Sequence, residues 1–301
     1  MKVLVQYSGG KDSQACLLWA SNKYGSKNVR AVFCDTYWDA DTTVKHIKET
    51  TKALGVELKI ITSKFYTSFE DMVVKKGVFP SAMRRFCTSE LKVKPFVDYL
   101  LEEVKEHVII IQGIRALESK KRSLMSKQCT YFKHYFEPYT VNKRGDKVYF
   151  NYRKKEVKKW LEKYDESLYR PVFDWTGQEV IDYIQDNGQK PNILYYEGFK
   201  RVGCFPCVMT SMQELKQIIT RYPQKKAEII EMEQRLNTRF FPYDYIPERF
   251  RTGIRYYKDG RTKPASTASD VFEYVQSKYL KPDLFGDNDT PSCSSFYHLC
   301  E

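Results

Sequence analysis

The chain has 301 residues, which is long enough for one α/β domain with a sizeable core and an additional region. Its hydrophobic fraction of 42% is ordinary for a soluble globular protein, and no apolar run has the length of a transmembrane span, which excludes a membrane-spanning protein. The net charge of +12 favours polyanionic partners such as nucleotide phosphates and nucleic acid. We expect a cytoplasmic protein, because no signal peptide precedes the first predicted strand.

The first predicted elements are a short apolar strand, residues 3–7, a glycine-rich turn, and a helix over residues 14–24. This order is typical of a phosphate-binding arrangement. Glycines let the backbone approach an oxyanion, and the first amides of the helix point towards it. We therefore expect the turn to bind nucleotide phosphates, with the lysine adding a full charge and the serines adding hydroxyl donors. It consists of Ser8, Gly9, Gly10, Lys11, Asp12 and Ser13.

The spacing of this turn differs from that of the Walker loop. It resembles instead the pyrophosphate-binding loop of the N-type ATP pyrophosphatases, the adenine nucleotide α-hydrolase-like superfamily. The resemblance implies catalytic roles for Lys11, which would stabilise the leaving pyrophosphate, and for Asp12, which would help to hold Mg²⁺.

Strands are next predicted over residues 29–34 and 57–62, and helices over 41–54 and 65–76. The first of these strands ends in Asp35 and Thr36. Ligands of open parallel sheets bind beyond the carboxyl ends of the strands, so we expect both residues to orient the nucleoside.

Two arginines, Arg84 and Arg85, and a cysteine, Cys87, precede a helix that is predicted to run to residue 105. The most hydrophobic strand, residues 107–112, follows. It leads into a loop that could clamp a phosphate or sulfate; a solvated basic loop is the alternative. The candidate binding residues of the loop are Gly113, Arg115, Ser119 and Arg122, of which Arg115 is also a candidate catalytic residue.

These motifs narrow the resemblance. The pattern Arg85-x-Cys87 with Lys92-Val93 and Pro95, and then Gly113-x-Arg115-x-x-Glu118-Ser119-x-x-Arg122, resembles the phosphoadenosine phosphosulfate (PAPS) reductase family. That family includes the adenylylsulfate (APS) reductases and the ATPase-like proteins of DNA phosphorothioation. A further block, residues 192–207, extends the likeness to about residue 210.

The resemblance implies an α/β fold, a Rossmann-like parallel sheet sandwich, with the nucleotide across the carboxyl edge of the sheet. We expect residues 1–170 to form the nucleotide-binding domain. Residues 171–301 are expected to form a mainly helical, partly irregular C-terminal region that contains cysteines.

Residues 131–166 are basic and aromatic. They predict a hairpin of residues 135–141 with 147–152, and a lysine-rich helix over residues 153–164. This segment could bind nucleic acid, but the pattern is more typical of a solvated face.

Two capping boxes, at Thr176 and at Ser211, start predicted helices in the C-terminal region. Further helices are predicted over residues 211–222, 223–237 and 270–280. Residues 240–264 show no clear periodicity.

Eight cysteines in a reducing compartment indicate metal, cluster or thiol chemistry. Cys204 and Cys207 are spaced to bind zinc or an iron–sulfur cluster, or to act as a redox pair. The resemblance adds Cys87, since iron–sulfur APS reductases carry a cysteine pair there; Thr88 replaces the second cysteine. Cys300 is the candidate fourth ligand; Cys293, a residue elsewhere, or an incomplete site are the alternatives.

A [4Fe–4S] cluster is favoured, and zinc or simple thiols are the alternatives. We expect the arginines beside Cys87 to lower its thiol pKa. The remaining cysteines at 16, 34 and 129 are interpreted as small apolar residues.

The tail lacks the nucleophilic cysteine motif of the sulfonucleotide reductases, and the phosphate loop is intact. These departures predict an enzyme that cleaves ATP to AMP and pyrophosphate, transfers the adenylyl group to an acceptor, and couples this step to sulfur chemistry with a sulfur donor. One alternative is a PAPS or APS reductase that uses Cys300 and a thioredoxin-like reductant. The other is a nucleotide-gated module that binds nucleic acid without turnover.

Overall fold

The computed structural model describes residues 1–142, 144–279, 297 and 299. Within them the strands are β1 (Lys2–Gln6), β2 (Val29–Cys34), β3 (Glu57–Ile61), β4 (Val108–Gln112), β5 (Gln128–Cys129), β6 (Thr140–Val141), β7 (Lys147–Val148), β8 (Glu166–Tyr169), β9 (Gly253–Tyr256) and β10 (Thr262–Ala265). The helices are α1 (Lys11–Tyr24), α2 (Asp41–Ala53), α3 (Phe69–Lys76), α4 (Phe86–Thr88), α5 (Lys94–Glu102), α6 (Lys120–Ser123), α7 (Lys133–Phe136), α8 (Lys154–Leu161), α9 (Gly177–Asp186), α10 (Ile193–Tyr196), α11 (Met212–Arg221), α12 (Pro223–Leu236) and α13 (Ala268–Tyr279). Short 3₁₀ segments lie at Ser26–Asn28, Ala116–Glu118 and Glu248–Phe250, and a π-helical segment joins α4 to α5 at Ser89–Val93.

The central sheet has six strands in the order β3-β2-β1-β4-β8-β5. The first five are parallel, and β5 runs antiparallel to β8 at the edge. The chain moves outward from β1 to β3 and then returns to place β4 on the other side of β1. The strand order therefore reverses between β1 and β4, which is where open α/β sheets bind their ligands. This arrangement confirms the expected parallel-sheet sandwich.

Alternating side chains of β1 divide the core into two layers. Val3 and Val5 are buried on the face covered by α1 and α9, whereas Leu4 is buried on the opposite face. There it packs in a cluster with Phe96 of α5 and Trp160 of α8. The sheet is thus covered by helices on both faces, as hydrophobic parallel strands require.

A third hydrophobic cluster joins the C-terminal helices to the first half of the chain. It contains Ile218 of α11, Met232 of α12 and Phe272 of α13, together with Trp38 and Met72 from the first half of the chain. Side chains from both sides of residue 170 therefore share one core, and the expected division at that point stays a prediction.

The differences from the predicted elements have local causes. Helix α1 begins at Lys11 rather than at residue 14, because Gly10 takes the extended N-cap conformation and the turn runs straight into the helix. The sequence analysis missed β8, whose pattern has a single fully buried residue, Leu168. It also missed the exposed β9–β10 hairpin within residues 240–264.

The capping boxes at Thr176 and Ser211 are confirmed. The predicted hairpin is confirmed only as the two-residue strands β6 and β7. In the described part of the chain, no helix combines the length and the hydrophobicity needed to cross a bilayer.

Candidate nucleotide-binding site

The phosphate loop is closed by hydrogen bonds among its own residues. The Ser8 amide donates to Ser13 Oγ at 3.2 Å, and Ser13 Oγ donates to the Gly10 carbonyl at 2.9 Å. The Ser8 and Ser13 hydroxyls lie 3.3 Å apart. These contacts hold the serine side chains at the mouth of α1, where both hydroxyls can turn towards a phosphate oxygen.

Two positions of the site require glycine, because neighbouring atoms lie too close to leave room for a Cβ. Gly9 has a φ of +73°, and a Cβ there would lie 2.7 Å from Thr43 Cγ2 of α2. A Cβ on Gly113 would lie 2.5 Å from the Ser13 amide nitrogen. Gly113, predicted as a binding residue, therefore lets the end of β4 pack directly against the first turn of α1.

The start of α1 has no side-chain cap, which leaves its first amides for other partners. The Lys11 amide donates to the Tyr195 hydroxyl at 3.0 Å. Asn192 donates to the Gly9 carbonyl at 3.4 Å and to Thr43 Oγ1 at 3.0 Å. The sequence analysis named Asn192 and Tyr195 within a family-like block but missed that they brace the loop from α10 and the residue before it.

Two cations converge on one carboxylate at the helix start. Lys11 Nζ donates to both Asp12 oxygens at 2.9 Å, and Arg115 Nε donates to Asp12 Oδ1 at 2.5 Å. The Lys11 side chain is only 2% exposed. Burial, together with the charge of Arg115, lowers the pKa of Lys11 although Asp12 opposes the shift. The two cations, the helix dipole and the hydroxyls form a concentrated site for anions.

The loop after β4 orients the other predicted clamp residues. The Arg115 amide donates to Glu118 Oε2 at 3.2 Å, and the Arg122 guanidinium contacts the same carboxylate. Ser119 caps the short helix α6 by accepting from the Arg122 amide, so its side chain is used locally. Burial lowers the pKa of Arg122, and the nearby charges of Arg201 and Arg115 act in the same direction, whereas Asp12 opposes them.

Tyr297 reaches this site from the far end of the chain. Lys11 Nζ lies 5.0 Å from the centre of its ring, within the range of a cation–π contact. The ring also makes an edge contact with Tyr195 at 5.6 Å between centroids. A Cβ on Gly177 would lie 2.8 Å from the Tyr297 ring. No sequence motif pointed to Tyr297.

The carboxyl end of β2 opens into a second part of the site. A cavity of about 520 Å³ is lined by Asp35, Tyr37 and Asp39, among others. Asp35 accepts from the Tyr37 amide at 2.8 Å and lines this cavity; its role in orienting a nucleoside stays a prediction. Thr36 is buried instead, and its hydroxyl donates to Asp39 at 2.7 Å. The Thr36 hydroxyl thus bonds within residues 36–39, where it also accepts from the Trp38 amide at 3.3 Å.

Three predicted thiols lie close enough to influence one another. Cys204 pairs through its backbone with Asp39, and the charges of Cys87 and Cys207 act on its thiol. Burial raises the pKa of Cys204 to about 11, although Lys92 opposes the shift. Burial also raises the pKa of Cys87 despite the opposing charge of Arg85. The expectation of a lowered Cys87 pKa was wrong, because burial outweighs the neighbouring arginine.

The comparison with known families is decisive at this point. Residues 2–210 match the model of the phosphoadenosine phosphosulfate reductase domain. The chain belongs to the phosphoadenosine phosphosulfate reductase family. Within this family match lie the phosphate loop, Arg115 and the three thiols, and together they support a nucleotide-binding enzyme.

Two of the relatives in sequence are longer proteins. The chain is 30% identical over 258 residues to an uncharacterized 37.8 kDa protein of Escherichia phage 186, covering 77% of this chain and 64% of that protein. It is 26% identical over 223 residues to an uncharacterized protein of Methanocaldococcus jannaschii, covering 74% of this chain and 39% of the relative. The chain thus spans less than two thirds of the length of these relatives.

Other similarities are shorter or more distant. An adenosine 5′-phosphosulfate reductase of Neisseria meningitidis is 46% identical over 39 residues, which are 13% of this chain and 16% of that enzyme. Among solved structures, a PAPS reductase of Candida auris in a phosphate complex is 17% identical with a TM-score of 0.44, covering 69% of this chain and 83% of that one.

Cys87, Cys204 and Cys207 are the described thiols that were predicted to hold a metal or cluster. Within residues 1–142, 144–279, 297 and 299, no group of three or more His, Cys, Asp or Glu side chains is arranged to hold a metal ion. Cys300, the predicted fourth ligand, lies outside the described residues. The described thiols therefore do not by themselves fit a four-ligand centre.

The lysine-rich helix α8 packs by Val157 and Trp160, which are buried, and turns its lysines outward. Arg153, just before it, pairs with Asp98 at 2.6 Å and with Glu102 at 2.6 Å. The outward lysines of α8 agree with the interpretation of this segment as a solvated face.

Proposed function

We propose that this family member binds ATP with its β and γ phosphates on the loop of residues 8–13 and cleaves the bond between the α and β phosphates. The observation that carries the proposal is the convergence of the buried Lys11 and Arg115 on Asp12 at the start of α1. Negative charge that develops on a leaving pyrophosphate would meet two fixed cations there. Charges that the fold already holds at this point stabilise a transition state, although the phosphate has to share them with Asp12.

The reaction is an adenylyl transfer. An oxygen of the acceptor attacks the α phosphorus, and the bridging oxygen leaves with its electron pair as part of pyrophosphate. Lys11, Arg115 and the amides of the first turn of α1 would stabilise that leaving group. Asp35, in the cavity at the end of β2, would accept a hydrogen bond from the nucleoside. When Mg²⁺ accompanies ATP, it neutralises part of the phosphate charge.

Sulfur chemistry is the proposed purpose of this activation. A sulfur nucleophile would displace AMP from the adenylylated acceptor and form a bond to its carbon or phosphorus. Arg122 supports a link between the phosphate loop and the predicted thiols. The charges of Asp12, in the loop, and of Arg85 both act on the pKa of Arg122. Arg85 in turn acts on the pKa of Cys87.

Product analysis tests the proposal. The protein is incubated with Mg-ATP and candidate acceptors, and the nucleotides are separated. AMP and pyrophosphate in equal amounts are expected. ADP and phosphate, or no turnover with any acceptor while ATP binds tightly, would overturn it; the latter result would favour the nucleotide-gated binding module.

One observation favours a second candidate, a sulfonucleotide reductase. Tyr297 lies on Lys11, so this point of the C-terminal tail reaches the phosphate loop, and Cys300 follows three residues later in the sequence. In that reaction the thiolate attacks the sulfur of PAPS or APS, the nucleotide leaves, and a thioredoxin-like dithiol releases sulfite from the S-sulfocysteine. Sulfite formed from PAPS and thioredoxin, and lost in Cys300→Ser, would select this candidate over adenylyl transfer.

A further inference from the structure

A second cavity, of about 760 Å³, lies outside the nucleotide site. One wall is the loop of residues 78–84, which follows α3, and the other is the segment of residues 238–264 with the β9–β10 hairpin. We call this cavity the hairpin groove. Neither the phosphate loop nor the cavity at Asp35 contributes to its lining.

The hairpin groove is strongly basic. Its lining includes five cationic side chains and two acidic ones, and the cations come from both walls. Arg84, Arg255 and Lys263 form no ion pair within the described part of the chain. Arg239 pairs with Glu233 at 3.6 Å, but its buried Nε has no hydrogen-bond partner among the described residues. The unpaired cations among the described residues are therefore Arg84, Arg255 and Lys263. Cations left without carboxylate partners on a concave surface favour an anionic ligand.

Aromatic rings alternate with these cations. The Arg255 guanidinium lies 4.3 Å from the ring centre of Tyr243 and 4.7 Å from that of Tyr257, and all three side chains line the groove. Tyr243 remains 39% exposed although it packs against the guanidinium. Exposed aromatic faces beside arginines are suited to stack on nucleobases. A ligand that carries only acidic groups would bind to the cations and would make no use of the rings.

Two residues of the lining are sequence neighbours of the predicted thiols. Val208 follows Cys207, and Arg84 lies three residues before Cys87.

We propose that the hairpin groove binds single-stranded nucleic acid, with the cations on the phosphates and the tyrosines on the bases. The concave shape selects a single strand over a duplex, because unpaired bases can splay onto the rings. The inference goes beyond the proposed reaction, since it concerns a different surface and needs no ATP.

Fluorescence anisotropy with a labelled single-stranded oligonucleotide tests this, with the full chain and without ATP. The double variant Arg255→Glu/Lys263→Glu should weaken binding by roughly tenfold or more and reduce the salt slope by about 1.4, because each phosphate contact on a single strand contributes about 0.7. The matched control is Lys158→Glu/Lys159→Glu on α8, which changes the net charge equally and should keep most of the affinity.

Equal losses of oligonucleotide affinity in the two double variants would contradict binding in the hairpin groove, since they would show that binding depends on net charge alone. A second variant, Tyr257→Leu, keeps the charge and should weaken binding of the single strand by roughly fivefold to 100-fold while leaving the salt slope unchanged. Competition by polyglutamate as strong as that by the oligonucleotide would also overturn the proposal. A Lys11→Ala variant should bind the oligonucleotide normally, so failure of the proposed reaction and failure of this inference are distinguishable.

Discussion

Arg115 and Asp12 form an ion pair across 103 residues of sequence, with Arg115 Nε 2.5 Å from Asp12 Oδ1. The pair joins the segment after β4 to the start of α1, the helix that follows β1. The strand order reverses between β1 and β4. Because Lys11 donates to the same carboxylate, a phosphate that binds here competes with Asp12 for both cations.

The variant Asp12→Asn separates these roles. Without the carboxylate charge, Lys11 and Arg115 are free to bind an anion, so pyrophosphate should bind several-fold more tightly in the absence of divalent ions. Mg-dependent turnover of ATP should fall. Calorimetric titration with pyrophosphate checks the first effect, with thermal unfolding measured alongside. Weaker pyrophosphate binding by a folded variant would mean that Asp12 mainly holds the cations in place.

The variant Lys11→Ala should reduce pyrophosphate release by about 100-fold or more, as the loss of one fixed donor to the leaving group does in other enzymes. The matched control is Lys23→Ala, in the last turn of the same helix, which should leave activity unchanged. Release of pyrophosphate is followed with a coupled assay. Undiminished activity in a folded Lys11→Ala protein would remove Lys11 from the catalytic site.

Two neighbouring residues should respond differently to substitution. Asp35→Ala should raise the KM for ATP by roughly tenfold, because a hydrogen bond to a charged group contributes about 1.5 to 3 kcal/mol. Thr36→Val should leave KM unchanged and destabilise the fold by about 1 to 3 kcal/mol, since it leaves the buried Trp38 amide and the half-buried Asp39 carboxylate without their partner. A changed KM in Thr36→Val with an unchanged Tm would contradict this division.

His46 makes stability depend on pH. It lies on α2, 3.1 Å from Gln14 Oε1 of α1, and burial lowers its pKa to about 4 although Glu49 opposes the shift. The unfolded chain binds a proton at a pH where the folded protein does not. Stability from neutral His46 is therefore present above about pH 6.5 and lost as the pH falls towards about 4.

The lowering of the pKa from 6.5 to about 4 corresponds to roughly 3 to 4 kcal/mol, because one pKa unit is about 1.4 kcal/mol. His46→Gln should flatten the decline of the unfolding free energy across this window, measured by urea titration. His107→Gln, at an exposed position paired with Asp165, is the control and should keep the wild-type profile. If the unfolding free energy of His46→Gln depended on pH as it does in the wild type, the assignment of this pH dependence to His46 would be contradicted.

The sequence predicted those parts of the site that are local. The loop of residues 8–13 is contiguous and follows directly from a strand and a helix, so its place at the switch point follows from the order of elements. Arg115 was predicted by the same logic, since it follows a parallel strand and such strand ends share one edge of the sheet.

The remaining contacts depend on tertiary packing. Tyr195 binds the Lys11 amide from 184 residues away, and nothing in its own sequence marks that role. Sequence could not decide which of Asp35 and Thr36 faces the cavity, because both follow the same strand. The pKa of Cys87 was misjudged for a related reason: burial, which raises it, is set by the whole fold.

The position of the cleaved bond is the most direct test of the account. The protein is given two ATP analogues in separate reactions, one with a methylene group between the β and γ phosphates and one with it between α and β. The account predicts AMP, or an adenylylated acceptor, together with methylene diphosphonate from the first analogue, and no turnover of the second. Release of phosphate from the second analogue, with none of these products from the first, would contradict cleavage between the α and β phosphates.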